Sequence, residues 1–503
     1  MLKVLTNMFL GNSPIWYKST IIIFLLLNPI LLILFNSIGL NGPFIVGWLF
    51  LLEFIFTLAL ALKCYPLQPG GLLAIEAIIM NLTSTESIYQ EISNNLEVIL
   101  LLIFMVAGIF FMKNLMLTIF TKLLLRVNSK IKLSLLFSFS AAFLSAFLDA
   151  LTVTAVLISV AIGFYRIFHL VSSNKTFSDT NHDFHDDNEL TDNSIEDLEK
   201  FKAFLRDLIM HGAVGTALGG VCTIVGEPQN LLIAGVVGWD FVTFFVEMAP
   251  VTMPVLITGL ITCYFIERFK IFGFGNTLPL SIREIFNDYD NYEKSQLTDT
   301  NKAELYVEFF VLLFLIFALA FHLAAVGIIG LAVIILLTSF KGITDEHKLG
   351  PAFNEALPFT ALLAVFFAIV SVIHDQHLFS PIIHYVLAQD PSIQPSVFFI
   401  ANGVLSAISD NVFVATIYIN ELNQAFINNI ISRDQFETLA IAVNTGTNIP
   451  SIATPNGQAA FLFLLTSSLA PLINLSYLKM VKMALPYTIT LSIVGLYSIT
   501  YLV

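Results

Sequence analysis

Apolar residues run along this chain in long stretches separated by short polar turns. A helix needs about 20 apolar residues to cross roughly 30 Å of hydrocarbon. Stretches that meet or approach that length are 20–40, 44–62, 67–82, 97–113, 231–248, 250–267, 305–320, 323–340, 357–373 and 483–502. Four more, at 133–168, 207–238, 395–428 and 435–473, are interrupted in the middle by polar or helix-breaking residues. Interrupted segments in corresponding places of two halves point to a transporter binding site. The pattern predicts an all-α polytopic membrane protein forming a single integral domain over 1–503. Its expected parts are inverted repeats with two re-entrant helical hairpins and two broken transmembrane helices. Residues 1–130 would supply N-terminal scaffold helices, and 131–270 the first repeat core with an acidic loop at 171–205. Residues 271–304 would form a connector, and 305–503 the second half, with its core at 395–473.

Composition agrees with this. The 503 residues are 57% hydrophobic and 12% charged, about half the charge of an average soluble domain. A soluble chain of this length could not cover its surface with so few charges, which excludes soluble enzymes, nucleic-acid binders and secreted disulfide scaffolds. The net charge of −13 is concentrated in loops: 174–202 carries a net −6 and 283–304 a net −3. The three cysteines, Cys64, Cys222 and Cys263, show no metal or disulfide spacing. Lys3 and Lys18 precede the first apolar run without a small-residue cleavage pattern, so that run is expected to remain as a membrane helix.

Basic residues set the expected orientation. With the N-terminus cytoplasmic and 133–168 and 395–428 folded back as hairpins, Lys113, Lys122, Arg126, Lys130, Lys132, Arg268, Lys270, Lys341, Lys348, Lys479 and Lys482 fall on the cytoplasmic side. Only Arg433 of 23 Lys and Arg residues is left outside, as the positive-inside rule requires. His182 and His185 in HDFHDD read as incidental members of an acidic connector. His374 and His377 have metal-like spacing but read as a solvated turn at a span end, and Glu53 and Glu76 read as interhelical hydrogen-bonding groups in preference to relay groups.

Two motifs recur. SAFLDALTVTAV at 145–156 matches SAISDNVFVATI at 406–417, pairing Ser145 with Ser406 and Asp149 with Asp410 at an offset of 261. GGVCTIVGEPQN at 219–230 faces GTNIPSIATPNG at 446–457, aligning Gly219 with Gly446 and Pro228 with Pro455, so that Glu227 stands opposite Thr454. Gly226, Pro228, Pro455 and Gly457 are the expected helix breaks. Proline and glycine at membrane depth are tolerated where loosened backbone is buried in protein or lines a wet cavity. Freed carbonyls and side-chain oxygens there are hard ligands suited to a small cation.

An ionised Asp at the bilayer centre costs at least ~2.5 kcal/mol even on the lenient insertion scale. Two at matching tips, with Glu227 as a third acid, are best explained by a cation or proton that neutralises them. One proton and one cation compete for the same carboxylate oxygens, which is the physical core of exchange. Asp149 and Asp410 also suit helix N-capping, and the two roles are compatible. Asn411, Ser145, Ser406, Thr152, Asn230, Asn448 and Asn456 read either as further oxygen ligands or as polar packing.

At these motifs the chain resembles the ion transporter superfamily, whose hairpin tips are of the LDN type and whose broken-helix loops are of the GTPPN type. The whole-chain pattern, including YPLQPGGLLAIEA at 65–77 and IVGEPQNLLIAG, is closest to the NhaB sodium/proton antiporters. That resemblance implies a multi-pass protein of the bacterial inner membrane, exporting Na+ (and Li+) against H+ electrogenically by alternating access, with no cofactor. It makes Asp149 and Asp410 the leading Na+-binding residues, and implies sodium, protons and lipid as partners, with a homodimer as the expected assembly. The first tip reads Asp-Ala rather than Asp-Asn, so the two tips are expected to be inequivalent. The alternative is a permease of the same superfamily for a neutral or anionic substrate such as arsenite or a dicarboxylate; carboxylate-bearing tips disfavour the anionic substrates and leave neutral arsenite open. No phosphate-loop or HExxH motif supports an ATPase or an intramembrane protease.

Overall fold

The structure is a computed structural model that describes residues 7–177 and 192–503, together with Val4 and Phe184. His182 and His185 lie outside the described residues. Among those described, seven helices are long and apolar enough to cross a membrane: Ile15–Ser37, Gly42–Ala59, Ala150–Ser172, Phe241–Phe269, Asp299–Ala320, Ala356–Asp375 and Tyr477–Tyr501. An eighth candidate is the pair Thr85–Asn94 and Leu96–Phe110, bent by 65° at its junction. The expected spans at 67–82 and 323–340 are the shorter helices Leu67–Ile79 and Val326–Phe340.

One pair of expected spans is corrected. Instead of crossings at 231–248 and 250–267, the chain ends a helix Pro228–Val237 and then builds one 29-residue helix, Phe241–Phe269. The true break is at Gly238–Asp240. Gly238 adopts φ 85°, a left-handed helix end that glycine reaches without steric cost. Asp240 then caps the next helix by accepting a hydrogen bond from Thr243 N at 2.7 Å. Pro250 and Pro254 lie inside the long helix.

Of these seven helices Ile15–Ser37 is the most open to its surroundings, with Ile23, Leu26, Ile30 and Ile33 more than half exposed. Apolar exposure of this kind is what lipid-facing helices require. Asp192–Gly220 is the opposite: Phe201 onward is buried almost without interruption. It packs chiefly on Lys130–Ser145. Close approach comes from glycine, since a Cβ on Gly219 would land on the Ala142 carbonyl oxygen. Leu96–Phe110 contains a π-helical turn, Leu101–Met105. Gly327 and Gly330 of Val326–Phe340 lie against the backbone of that turn, the small-residue packing typical of membrane helices.

Candidate functional site

Two helix–tip–helix units and two interrupted helices surround the polar centre. The first unit joins Lys130–Ser145 to Ala150–Ser172, and the second joins Gln394–Ile408 to Asn411–Ile427. The first interrupted helix runs Asp192–Gly220, breaks at 221–227, and resumes as Pro228–Val237. The second runs Arg433–Asn448, passes through a 3-10 turn at Pro450–Ala453, and resumes as Ala459–Thr466. Pro228 starts its helix at the first turn, where a missing N–H costs nothing.

Equivalent contacts tie each tip to its break. Ser145 Oγ donates to Thr216 O at 2.8 Å, and Ser406 Oγ to Thr447 O at 2.8 Å. Thr223 Oγ1 donates to Ala146 O, and Thr454 Oγ1 to Ala407 O at 2.6 Å. A Cβ on Gly226 would strike the Gly220 carbonyl, and one on Gly457 the Ser451 carbonyl. The breaks therefore correspond at an offset of 231, with Thr223 opposite Thr454 and Gly226 opposite Gly457. This corrects the alignment on the prolines, which is four residues out of register. Pro455 sits in the turn after the 3-10 segment and is not the counterpart of Pro228. Glu227 stands opposite Gln458, each at the start of its resuming helix, rather than opposite Thr454.

Asp149 is 2% exposed and caps Ala150–Ser172, accepting from Thr152 N at 3.1 Å and lying 3.5 Å from Thr152 Oγ1. Asp410 is half-buried and caps Asn411–Ile427, accepting from Val412 N at 2.9 Å and Phe413 N at 3.3 Å. Backbone donors at a helix N-terminus offset part of the cost of holding a carboxylate there. Glu227 is buried within electrostatic reach of both aspartates, and its Oε1 has no hydrogen-bond partner among the described residues.

The two breaks touch through amides. Gln229 Nε2 donates to Asn448 Oδ1 at 2.6 Å, and Asn448 Nδ2 donates to Asn230 Oδ1 at 3.3 Å. Asn230 Nδ2 spans its own break, donating to Gly220 O at 2.7 Å and Thr223 O at 2.6 Å. Gln458 Nε2 does the same in the second break, donating to Asn448 O at 3.0 Å and Ser451 Oγ at 2.9 Å. Around this framework Gln229 Oε1, Gln458 Oε1, Asn411 Oδ1 and Asn456 Oδ1 are buried without a partner. Buried polar atoms are normally paired, so unpaired oxygens gathered near three acids form a set of hard donors suited to a small cation.

A cavity of about 480 Å³ reaches this centre. Thr152, Asp410 and Asn456 border it, with Tyr65, Pro358 and Phe463 among its walls. Asp149 lies behind Thr152, so the tips are inequivalent in setting as well as in sequence. A second, more polar cavity of about 540 Å³ is bounded by Glu91, Asn94, Glu97, Asn420, Asn423, Leu231 and Leu232. Ser145, Ser406, Asn230 and Asn448 are framework, with their donors committed to backbone or to one another. Gln229 and Gln458 belong to the centre and went unnoticed in the sequence. The available signal was Gly-Glu at 226–227 matching Gly-Gln at 457–458. Glu53 and Glu76 stand apart, both bonded to Asn28, and His374 and His377 lie exposed at the end of Glu346–Asp375.

Apolar spans in this number, wrapped around a buried polar centre with broken helices, define a multi-pass membrane protein of the transporter class. The family model described as bacterial Na+/H+ antiporter B (NhaB) matches residues 1–503. Proteins named Na(+)/H(+) antiporter NhaB are similar over nearly their full lengths. The one from Marinomonas sp. (strain MWYL1) is 61% identical over 497 residues, covering 99% of this chain and 98% of the relative. Those from Teredinibacter turnerae and Hahella chejuensis are 62% and 61% identical over 489 and 487 residues, each covering 97% of this chain and 96% of the relative. The chain belongs to the NhaB family of bacterial Na+/H+ antiporters, and is a transporter rather than an enzyme.

Proposed function

We propose that this protein exchanges Na+ for H+ across the bacterial inner membrane, with Asp149 and Asp410 as the groups that trade one cation for the other. The observation that carries the residue assignment is the matched pair of tip carboxylates, each beside a helix break, with Glu227 and unpaired amide oxygens between them. A deprotonated aspartate holds Na+; a protonated one does not. Loading one species releases the other, and no external energy source beyond the two gradients is needed.

The N-terminus is cytoplasmic in this reading, and the units repeat with opposite orientation, their tips re-entering from opposite faces. The cavity at Asp410 then opens toward the cytoplasm, since Ala61, Tyr65 and Thr466 line it near the cytoplasmic ends of their segments. The polar cavity at Glu91 and Asn423 opens outward. Leu231 and Leu232, buried on the resuming half of the first broken helix, close the outer path. Alternating access amounts to opening that path while closing the one at Asp410. Among the described residues no Lys or Arg forms an ion pair with Asp149, Glu227 or Asp410, which also disfavours the anionic-substrate permease.

The test is purified protein in liposomes with a trapped pH indicator. An imposed Na+ or Li+ gradient should drive proton movement of opposite direction, and arsenite or a dicarboxylate should not. Proton movement that follows arsenite and ignores Na+ would establish the permease instead.

A further inference from the structure

A second carboxylate cluster lies away from the broken helices. Asn28 on Ile15–Ser37, Glu53 on Gly42–Ala59 and Glu76 on Leu67–Ile79 are 0%, 2% and 8% exposed. The Asn28 Nδ2 amide donates to Glu53 Oε2 at 2.8 Å and to Glu76 Oε2 at 3.1 Å. The two carboxylate oxygens therefore lie within 5.9 Å of each other. One amide nitrogen has two hydrogens, so Asn28 has spent both. Asn28 Oδ1, Glu53 Oε1 and Glu76 Oε1 remain buried with no partner among the described residues.

Among the described residues neither glutamate pairs with Lys, Arg or His. Glu76 is the charge that Glu53 faces. The other titratable groups on Ile15–Ser37 are Tyr17 and Lys18; Lys18 Nζ donates to Asn7 O and Gly11 O. Glu346–Asp375, which packs on the other two helices, carries Glu346, His347, Lys348, Glu355, His374 and Asp375. Two buried carboxylates that close do not both remain ionised unless something positive sits between them. The three unpaired oxygens belong to three helices joined through one amide, and a shared proton or a hard cation satisfies acceptors of this kind.

We propose that Asn28, Glu53 and Glu76 form a second site for a small monovalent cation, held by a proton shared between the carboxyls when no alkali ion is bound. Asn28 positions the two acids by donating to one oxygen of each, leaving the other three oxygens to the cation. This site stands on its own geometry and does not depend on the roles given to Asp149 and Asp410.

The experiment uses the full chain carrying Asp149→Asn and Asp410→Asn, so that the central exchange is silent. Infrared titration of its protonated-carboxyl band, and proton release into weakly buffered detergent on adding NaCl or LiCl rather than choline chloride, are compared with and without Glu53→Gln. The expected result is loss of about one titrating proton per chain in the Glu53→Gln protein. Release provoked by Na+ or Li+ shows that an alkali ion displaces the proton; a band that titrates with pH but ignores both ions shows a proton site alone. Asn28→Asp, which keeps side-chain volume and adds a third acid, should take up an additional proton. An unchanged band and unchanged release in both Glu53→Gln and Asn28→Asp would overturn the proposal.

Discussion

The chemistry rests on a few side chains, and their differences matter as much as their pairing. Asp149 and Asp410 both cap helices, yet one is enclosed and the other borders a cavity. Replacing either by Asn keeps the cap, because the amide oxygen still accepts the backbone hydrogen bonds. The amide cannot exchange a proton for Na+, so Asp149→Asn and Asp410→Asn proteins should insert normally and lose exchange by more than about tenfold, the effect of ~1.4 kcal/mol, measured as Na+-driven proton flux in vesicles. Wild-type flux in either would reduce that aspartate to a cap. The offset of 231 makes Gln458 the neutral counterpart of Glu227. Gln458→Glu should therefore add a cation-holding group to the second break and lower the Na+ concentration needed for half-maximal flux; an unchanged value would remove Gln458 from the site. The three acids were legible in sequence because charge at membrane depth is costly enough to stand out. Gln229 and Gln458 were not, since neutral amides in apolar segments carry no such signal and the prolines suggested the wrong register.

The breaks were visible as interruptions in otherwise apolar helices, but their boundaries depend on backbone geometry that a hydropathy pattern does not contain. Proline was misleading once: Pro455 is no partner of Pro228. The boundary near 240 is set not by a proline but by a left-handed Gly238 and an Asp240 cap. What holds each tip to its break is a set of side-chain bonds to carbonyls and one close backbone approach. Thr454→Val would leave the half-buried Ala407 carbonyl without its donor, a loss of about 0.5–1.5 kcal/mol, readable as a lower thermal midpoint in detergent. Gly219→Ala would drive a methyl group into the Ala142 carbonyl. Overpacking costs about 1–3 kcal/mol, and here a backbone must move, so reduced yield or an earlier melt is expected. A normal melt for Gly219→Ala would mean that the helix contact is looser than the structure gives.

The all-α character and the membrane setting followed from hydropathy and charge alone, because lipid leaves a chain few choices; the number of crossings did not, since two expected spans at 231–248 and 250–267 give way to the single crossing helix Phe241–Phe269. Which face each cavity meets depends on how two halves are arranged, and the pattern of apolar runs does not fix that. In a cysteine-free background lacking Cys64, Cys222 and Cys263, an impermeant thiol reagent should reach Ala61→Cys or Thr466→Cys from the cytoplasm and Asn423→Cys from outside. Labelling with the sides reversed would invert the orientation. The central claim is that a proton and Na+ compete for one set of carboxylates. It is tested by the Na+ concentration giving half-maximal exchange, measured in everted vesicles across a pH series. Competition predicts that this concentration rises as pH falls, approaching about tenfold per pH unit for one competing proton, while the rate at saturating Na+ is unchanged. A constant half-maximal concentration with a falling saturated rate would place the proton's action elsewhere and contradict the shared site.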